Sequence, residues 1–276
     1  MNISYNADEK SNSNVNKSLN LNILLLIIYF IIRIPVTFIQ KMDALNPIWK
    51  RIATELCFFT IIGLLIIINR KKLQEFFIDK IFLIIFFMFG IVFRIRTIDT
   101  FMTLFFEAAI RMLLVMFLLF IIFTKTRVSR FPLFTFWNGI GILAGSILAA
   151  VVIVIASTTV HFQNISLNHA IGLLIKEIIR GFGDVILEEP IFRGFLWGTL
   201  LLLNWKERYI FVLQTFLFWM SHLSYAFSTP ISFWIIGPII SLLLGFLTWK
   251  SHSIIPSTLA HIFYNSIIGV SLFLEY

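Results

Sequence analysis

Charged residues are scarce in this sequence. They make up 13% of the chain, while hydrophobic residues make up 59%. Soluble domains carry roughly twice that share of charge. The balance therefore excludes an ordinary soluble protein and predicts a polytopic membrane protein. The net charge of +8 is then explained by basic loops at the membrane surface. We do not attribute it to nucleic-acid binding.

Cysteine is nearly absent as well. Cys57 is the only one in the sequence, which excludes an internal disulfide and a cysteine-rich metal site. Its neighbours are apolar, so we expect a thiol that only packs. The zinc-protease motif H-E-x-x-H is also missing, which excludes the metalloproteases that use it.

A second aspartate inside a membrane span is missing too. Residues 181–184 read G-F-G-D, which matches the G-x-G-D pattern of intramembrane aspartyl proteases. That chemistry needs a partner aspartate on a facing span, and none of the other aspartates lies well inside an apolar run. We therefore predict a hinge at Gly181 and Gly183, followed by Asp184 as a helix N-cap.

Long apolar runs dominate what is present. A helix needs about 20 apolar residues to cross a bilayer. The sequence accordingly predicts an all-α transmembrane helical bundle with about eight or nine spans, preceded by a disordered polar tail over residues 1–19. The candidate spans are about 21–39, 52–69, 81–97, 101–123, 137–159, 182–204, 208–225, 232–250 and 254–272. Residues 168–180 predict an interfacial or partly inserted helix.

Ionisable residues interrupt one of these runs. Glu188, Glu189 and Arg193 lie in a stretch long enough to cross a bilayer, where each charge costs about 2.5 kcal/mol or more. Glu189 and Arg193 are four residues apart, so a helix would pair them. Glu188 has no partner within its own helix. In the first half of the chain, Arg33 could pair with Glu55.

Other polar residues in apolar runs could be interaction partners of Glu188. His222 follows Phe218 by four residues, and Asn265 follows His261 by four, so each pair shares one helix face. At about 1.5 Å per residue, Glu188 and His222 fall in the same leaflet. One cavity that gathers Glu188, His222, His261 and Asn265 would satisfy four buried polar groups at once.

Such a set supports two chemistries. In the first, Glu188 and His222 deprotonate a water molecule, and His261 and Asn265 stabilise the oxyanion of a tetrahedral intermediate. In the second, Glu188, His222 and His261 bind one divalent metal such as zinc, which activates the water. The sequence leaves both open, so the cofactor is either one metal or none.

Three motifs give this set a family resemblance. E-E-P-I-F-R-G, F-x-x-x-H and H-x-x-x-N, with the flanking Gly194 and Gly245, resemble the motifs of the CAAX-protease and bacteriocin-processing family, also called Abi. The resemblance covers about residues 180–272. It implies an intramembrane protease in which Glu188 and His222 activate water, and His261 and Asn265 hold the oxyanion. Glu189, Arg193 and Phe218 would support the site.

The resemblance also implies an organisation and a setting. Residues 20–167 would form N-terminal transmembrane helices, and residues 168–276 the catalytic core. The enzyme would cleave a membrane-associated peptide or protein in a bacterial plasma membrane, with roles in peptide maturation, bacteriocin self-immunity or CAAX-type processing. Family members also act as scaffolds, so a non-proteolytic scaffold or immunity protein is the alternative. A transporter with a buried proton relay is a third interpretation.

Overall fold

The computed structural model describes residues 18–33, 47–79, 136–157, 167–185 and 188–273, together with Leu83. All secondary structure in these residues is helical. The helices are α1 (Ser18–Arg33), α2 (Pro47–Asn69), α3 (Phe136–Ser157), α4 (Leu167–Val185), α5 (Pro190–Leu202), α6 (Glu207–Met220), α7 (Ser232–Ser251) and α8 (Ile254–Phe273). A 3₁₀ helix (Leu73–Phe76) follows α2, and a single helical turn (Tyr225–Ser228) lies between α6 and α7.

Three of these helices are long and apolar enough to cross a membrane: Phe136–Ile155, Ser232–Ser251 and Ile254–Ser271. They correspond to the spans predicted over 137–159, 232–250 and 254–272. The apolar parts of α1, α2 and α5 are shorter. Apart from Leu83, the spans predicted over 81–97 and 101–123 lie outside the described residues, and so do residues 1–17 of the predicted tail.

Helix α3 holds α8 by direct backbone contact. A Cβ atom on Gly141 would collide with the carbonyl oxygen of Pro256, and one on Gly145 with that of Ala260. A step of four residues along α3 matches a step of four residues in the same direction along α8, so the two helices run parallel. Small residues four apart are the usual way for membrane helices to approach closely. This packing fixes the helix that carries His261.

Helix α4 packs antiparallel on the other side of α8. Gly181 faces Ile262 and Ser266, while Glu177 is buried against Gly269. The predicted hinge is wrong, because α4 continues through Gly181 to Val185 without a break. Close packing on α8 explains the glycine, and Asp184 lies inside the helix instead of capping a new one. Parts of the span predicted over 182–204 lie in α4 and in α5.

Helix α5 begins with a π-helical segment, Pro190–Leu196, in which every residue is buried. Wide π turns are uncommon and occur often at functional sites. A Cβ atom on Gly198 would collide with the backbone of Phe76, and one on Gly194 would push against the end of the Ile78 side chain. The two glycines therefore let α5 lie directly on the segment that follows α2.

Helices α6 and α7 are joined near one end of the bundle by a hydrogen bond from Trp249 Nε1 to Glu207 Oε2, at 2.5 Å. Further along, Gly245 lies against the side chain of Gln214. The predicted span 208–225 is too long, because α6 ends at Met220 and turns follow. This ending places His222 in a turn instead of on a continuous helix.

Helix α1 is fixed to α2 by two buried side-chain amides. Asn22 donates to Asn69 at 3.0 Å, and Asn69 donates back at 2.8 Å. Further along α1, Tyr29 packs against Phe58 and Phe192 in the hydrophobic core. These contacts place the end of α1 next to the first residues of α5.

Candidate active site

Glu188 is the residue around which the site is built. It is only 8% exposed, and three other parts of the chain reach its carboxylate. Oε1 forms an ion pair with Nη2 of Arg33 and lies 3.7 Å from Nε2 of His222. Oε2 lies 4.0 Å from Nε2 of His261. Both imidazole distances are too long for a direct hydrogen bond and short enough for one bridging water molecule.

Arg33 is the unexpected member of this group. We expected it to pair with Glu55, but its guanidinium contacts Glu188. The side chain of Glu55 lies outside the described residues. Sequence offers no signal for the Arg33–Glu188 pair, which spans 155 residues. Only the packing of α1 against α2 and α5 decides it.

Glu189 is fully buried and has two partners on one oxygen. Nη1 of Arg193 lies 3.3 Å from Oε1, which confirms the ion pair predicted from the four-residue spacing. Nδ1 of His261 lies 2.9 Å from the same oxygen. Because a carboxylate can only accept here, His261 carries a proton on Nδ1. The sequence did not predict this second contact.

His222 is oriented by the end of its own helix. Its Nδ1 lies 2.9 Å from the carbonyl oxygen of Phe218, and 3.1 Å from Oγ of Ser221. Since a carbonyl oxygen can only accept, Nδ1 carries the proton and Nε2 is left with its lone pair. That lone pair is on the ring nitrogen nearest Glu188.

Phe218 packs against three side chains of the site. The guanidinium of Arg193 lies 3.8 Å above the centre of its ring. On other sides, the rings of His222 and His261 lie 4.9 Å and 5.7 Å away, centre to centre. A desolvated cation over an aromatic face is stabilised by about 2 kcal/mol. Phe218 thus holds both imidazoles and the arginine in place.

Asn265 lies one turn after His261 on α8 and is half-buried. Among the described residues, its side-chain amide has no hydrogen-bond partner. The structure therefore brings Glu188, Glu189, His222 and His261 into direct proximity. Asn265 shares the face of α8 that carries His261, one turn further along.

With this geometry in place, one comparison with known families bears on the site. Residues 170–267 match the type II CAAX prenyl endopeptidase Rce1-like family. The matched residues contain all three motifs, which confirms the resemblance predicted from the sequence. No curated protein and no solved structure matches the chain.

The Rce1-like segment does not contain the whole site. Glu188, Glu189, Arg193 and both histidines lie within it, whereas Arg33 lies outside it. The added guanidinium changes the charge balance, because two buried carboxylates now face two guanidinium groups. The charges of the two carboxylates and the two guanidinium groups therefore balance one another, as an apolar surrounding requires.

The side chains of the site do not form a set of metal ligands. Within the described residues, no group of three or more histidine, cysteine, aspartate or glutamate side chains has metal-ligating geometry. The Arg33 guanidinium also occupies Oε1 of Glu188, and a positive charge there opposes a second cation. This arrangement does not fit a zinc ion bound by Glu188, His222 and His261.

Proposed function

We propose that the protein is an intramembrane endopeptidase that hydrolyses a peptide bond of a membrane-associated peptide or protein. The main support for this proposal is that the carboxylate of Glu188 and the imidazoles of His222 and His261 lie together between apolar helices of an Rce1-like segment. The enzyme would be a bundle of eight or nine spans in a bacterial plasma membrane. Residues 168–276 would form its catalytic core, with further helices from 20–167.

Water activation follows from the two acceptors at the centre. Glu188 Oε1 and His222 Nε2 are 3.7 Å apart, and both are lone-pair acceptors in the states described above. One water molecule can donate a proton to each of them. Its oxygen lone pair is then directed away from both, toward a substrate carbonyl carbon. In this role Glu188 is the general base, and His222 orients the water.

His261 and Asn265 are the proposed oxyanion donors. Because Nδ1 of His261 already donates to Glu189, Nε2 can donate only when the ring is protonated. The carboxylates of Glu189 and Glu188, 2.9 Å and 4.0 Å from the two ring nitrogens, stabilise that imidazolium. Asn265 supplies a second donor from its unused amide.

The bonds and protons balance without a cofactor. The water oxygen attacks the carbonyl carbon, and its proton passes to Glu188. Collapse of the tetrahedral intermediate breaks the carbon–nitrogen bond. Glu188 then returns the proton to the departing amine, so the enzyme ends in its starting state.

The test is cleavage of a tagged peptide library by purified protein in liposomes. Glu188→Gln and His222→Asn should each lower cleavage by about 10²–10⁴-fold, the usual contribution of a positioned general base. His252→Asn is the matched control, since its side chain is 58% exposed and it contacts Glu207, away from the site. Cleavage by Glu188→Gln at the wild-type rate would contradict the proposed function.

A chelator separates the two chemistries left open by the sequence. The proposed mechanism predicts that cleavage persists in the presence of a strong zinc chelator. Loss of cleavage that added zinc restores would support the metal-dependent mechanism. If the wild-type protein cleaves nothing, but Glu188→Gln keeps its biological activity in cells, the non-proteolytic scaffold or immunity protein is the better description.

A further inference from the structure

Arg33 stands out among the charged groups of the site, because it comes from a helix that the Rce1-like segment does not include. Its contact with Glu188 joins residues 155 positions apart. The guanidinium carbon also lies 5.6 Å from the centre of the Phe58 ring, on α2. The side chain is only 15% exposed, so the charge is largely removed from water.

Without Arg33, two buried carboxylates would share a single guanidinium group, that of Arg193. Glu188 and Glu189 are adjacent in sequence and both buried, and Arg193 is already paired with Glu189 at 3.3 Å. A buried charge without a partner is neutralised by proton uptake or is driven toward water. A protonated Glu188 could not accept a proton from water. Arg33 thus decides whether the proposed base is present in its basic form.

The geometry of the contact matters as much as its charge. Arg33 binds Oε1, the oxygen that lies 3.7 Å from His222, and so leaves Oε2 directed at His261. A planar guanidinium fixes the orientation of a carboxylate better than a flexible ammonium does. The position of Arg33 is fixed in turn by the paired amides of Asn22 and Asn69, which set the register of α1 on α2.

We propose that Arg33 is a positioning residue, which holds Glu188 ionised and oriented toward the two imidazoles, and that α1 is therefore part of the catalytic unit. This inference rests on the proposed peptidase function. Arg33 is not required to touch the substrate. Its effect is expected on the chemical step, because it acts through Glu188.

The test compares Arg33→Gln with Arg208→Gln, an exposed arginine on α6. The assay uses a peptide that the wild-type protein cleaves and that Glu188→Gln does not. Arg33→Gln should lower kcat by about 100-fold, the scale of a small misplacement of a reacting group, with KM little changed. Arg33→Lys should recover part of that loss, and Arg208→Gln should behave as wild type.

Chemical rescue distinguishes positioning from a merely structural role. Arg33→Ala leaves space at Glu188, so added guanidinium at concentrations well below denaturing should raise its kcat several-fold. The same addition should not raise kcat of Arg208→Ala. A wild-type kcat for Arg33→Gln overturns the inference, and so does a folded Arg33→Ala that guanidinium does not rescue.

Thermal unfolding gives a readout that needs no substrate. If the two charges compensate each other, Arg33→Gln should lower the melting temperature, and the double variant Arg33→Gln/Glu188→Gln should regain part of it. Additive losses would overturn the pairing. Cleavage by Glu188→Gln would instead contradict the proposed function. The thermal-unfolding comparison would still report whether Arg33 and Glu188 are coupled.

Discussion

Glu189 and His261 are joined by a 2.9 Å hydrogen bond that spans 72 residues of sequence. The same carboxylate oxygen lies 3.3 Å from Arg193 on the other side. One fully buried carboxylate therefore fixes both the helix that begins the site and the ring on α8. Carboxylates that hold an imidazole in this way typically set its tautomer and its orientation.

Glu189→Gln should damage both stability and catalysis. The amide keeps the shape of the side chain, but it leaves the buried guanidinium of Arg193 without a counter-charge. Breaking one partner of such a pair costs about 3–5 kcal/mol. Peptide cleavage should fall by about 10–100-fold, as for other residues that orient an imidazole. Glu75→Gln, with a side chain 45% exposed, is the control that should leave unfolding and cleavage unchanged.

Asn265→Ala should separate the oxyanion role from folding. Removing one oxyanion donor lowers kcat by about 10²–10³-fold in other hydrolases. The free energy of unfolding should change by less than about 1 kcal/mol, because the Asn265 amide has no hydrogen-bond partner among the described residues. A variant with normal kcat would exclude Asn265 from the mechanism, and would leave water activation by Glu188 untouched.

Phe218→Leu should loosen the site without removing any polar group. It deletes the ring face that Arg193 covers at 3.8 Å and the contacts to both imidazoles. We expect a loss of about 2 kcal/mol in the free energy of unfolding, together with a lower kcat. Phe216→Leu, two residues earlier and 49% exposed, makes the same change on the outer face of α6. Equal effects of the two variants would contradict a specific role for Phe218.

Gly145→Ala should displace α8 and, with it, His261. The added methyl group would collide with the carbonyl oxygen of Ala260, and overpacking of this kind costs about 1–3 kcal/mol. Gly139→Ala is the matched control on the same helix, because nothing lies within 4 Å of its added Cβ. That variant should be neutral or more stable by up to about 1 kcal/mol, since alanine favours helix. Thermal unfolding of both variants in one detergent measures the difference.

One contact of the candidate site was predictable from spacing, because spacing reports geometry within one helix. Glu189 and Arg193 are four residues apart, and the structure pairs them. Three of the predicted long apolar helices also match, since length and composition decide whether a segment can cross a bilayer. Helix ends were less predictable. The Gly181 and Gly183 pair was predicted to be a hinge, but α4 runs through it against α8.

The sequence by itself determined the class of protein and the three motifs, because buried charges in apolar helices are too costly to be incidental. Only the tertiary structure decided which groups meet. The sequence suggested that Arg33 pairs with Glu55, whereas the structure pairs Arg33 with Glu188. It also placed His261 between two carboxylates. The physical reason is that these contacts depend on the register of separate helices, which is set by Asn22 with Asn69 and by Gly145 with Ala260.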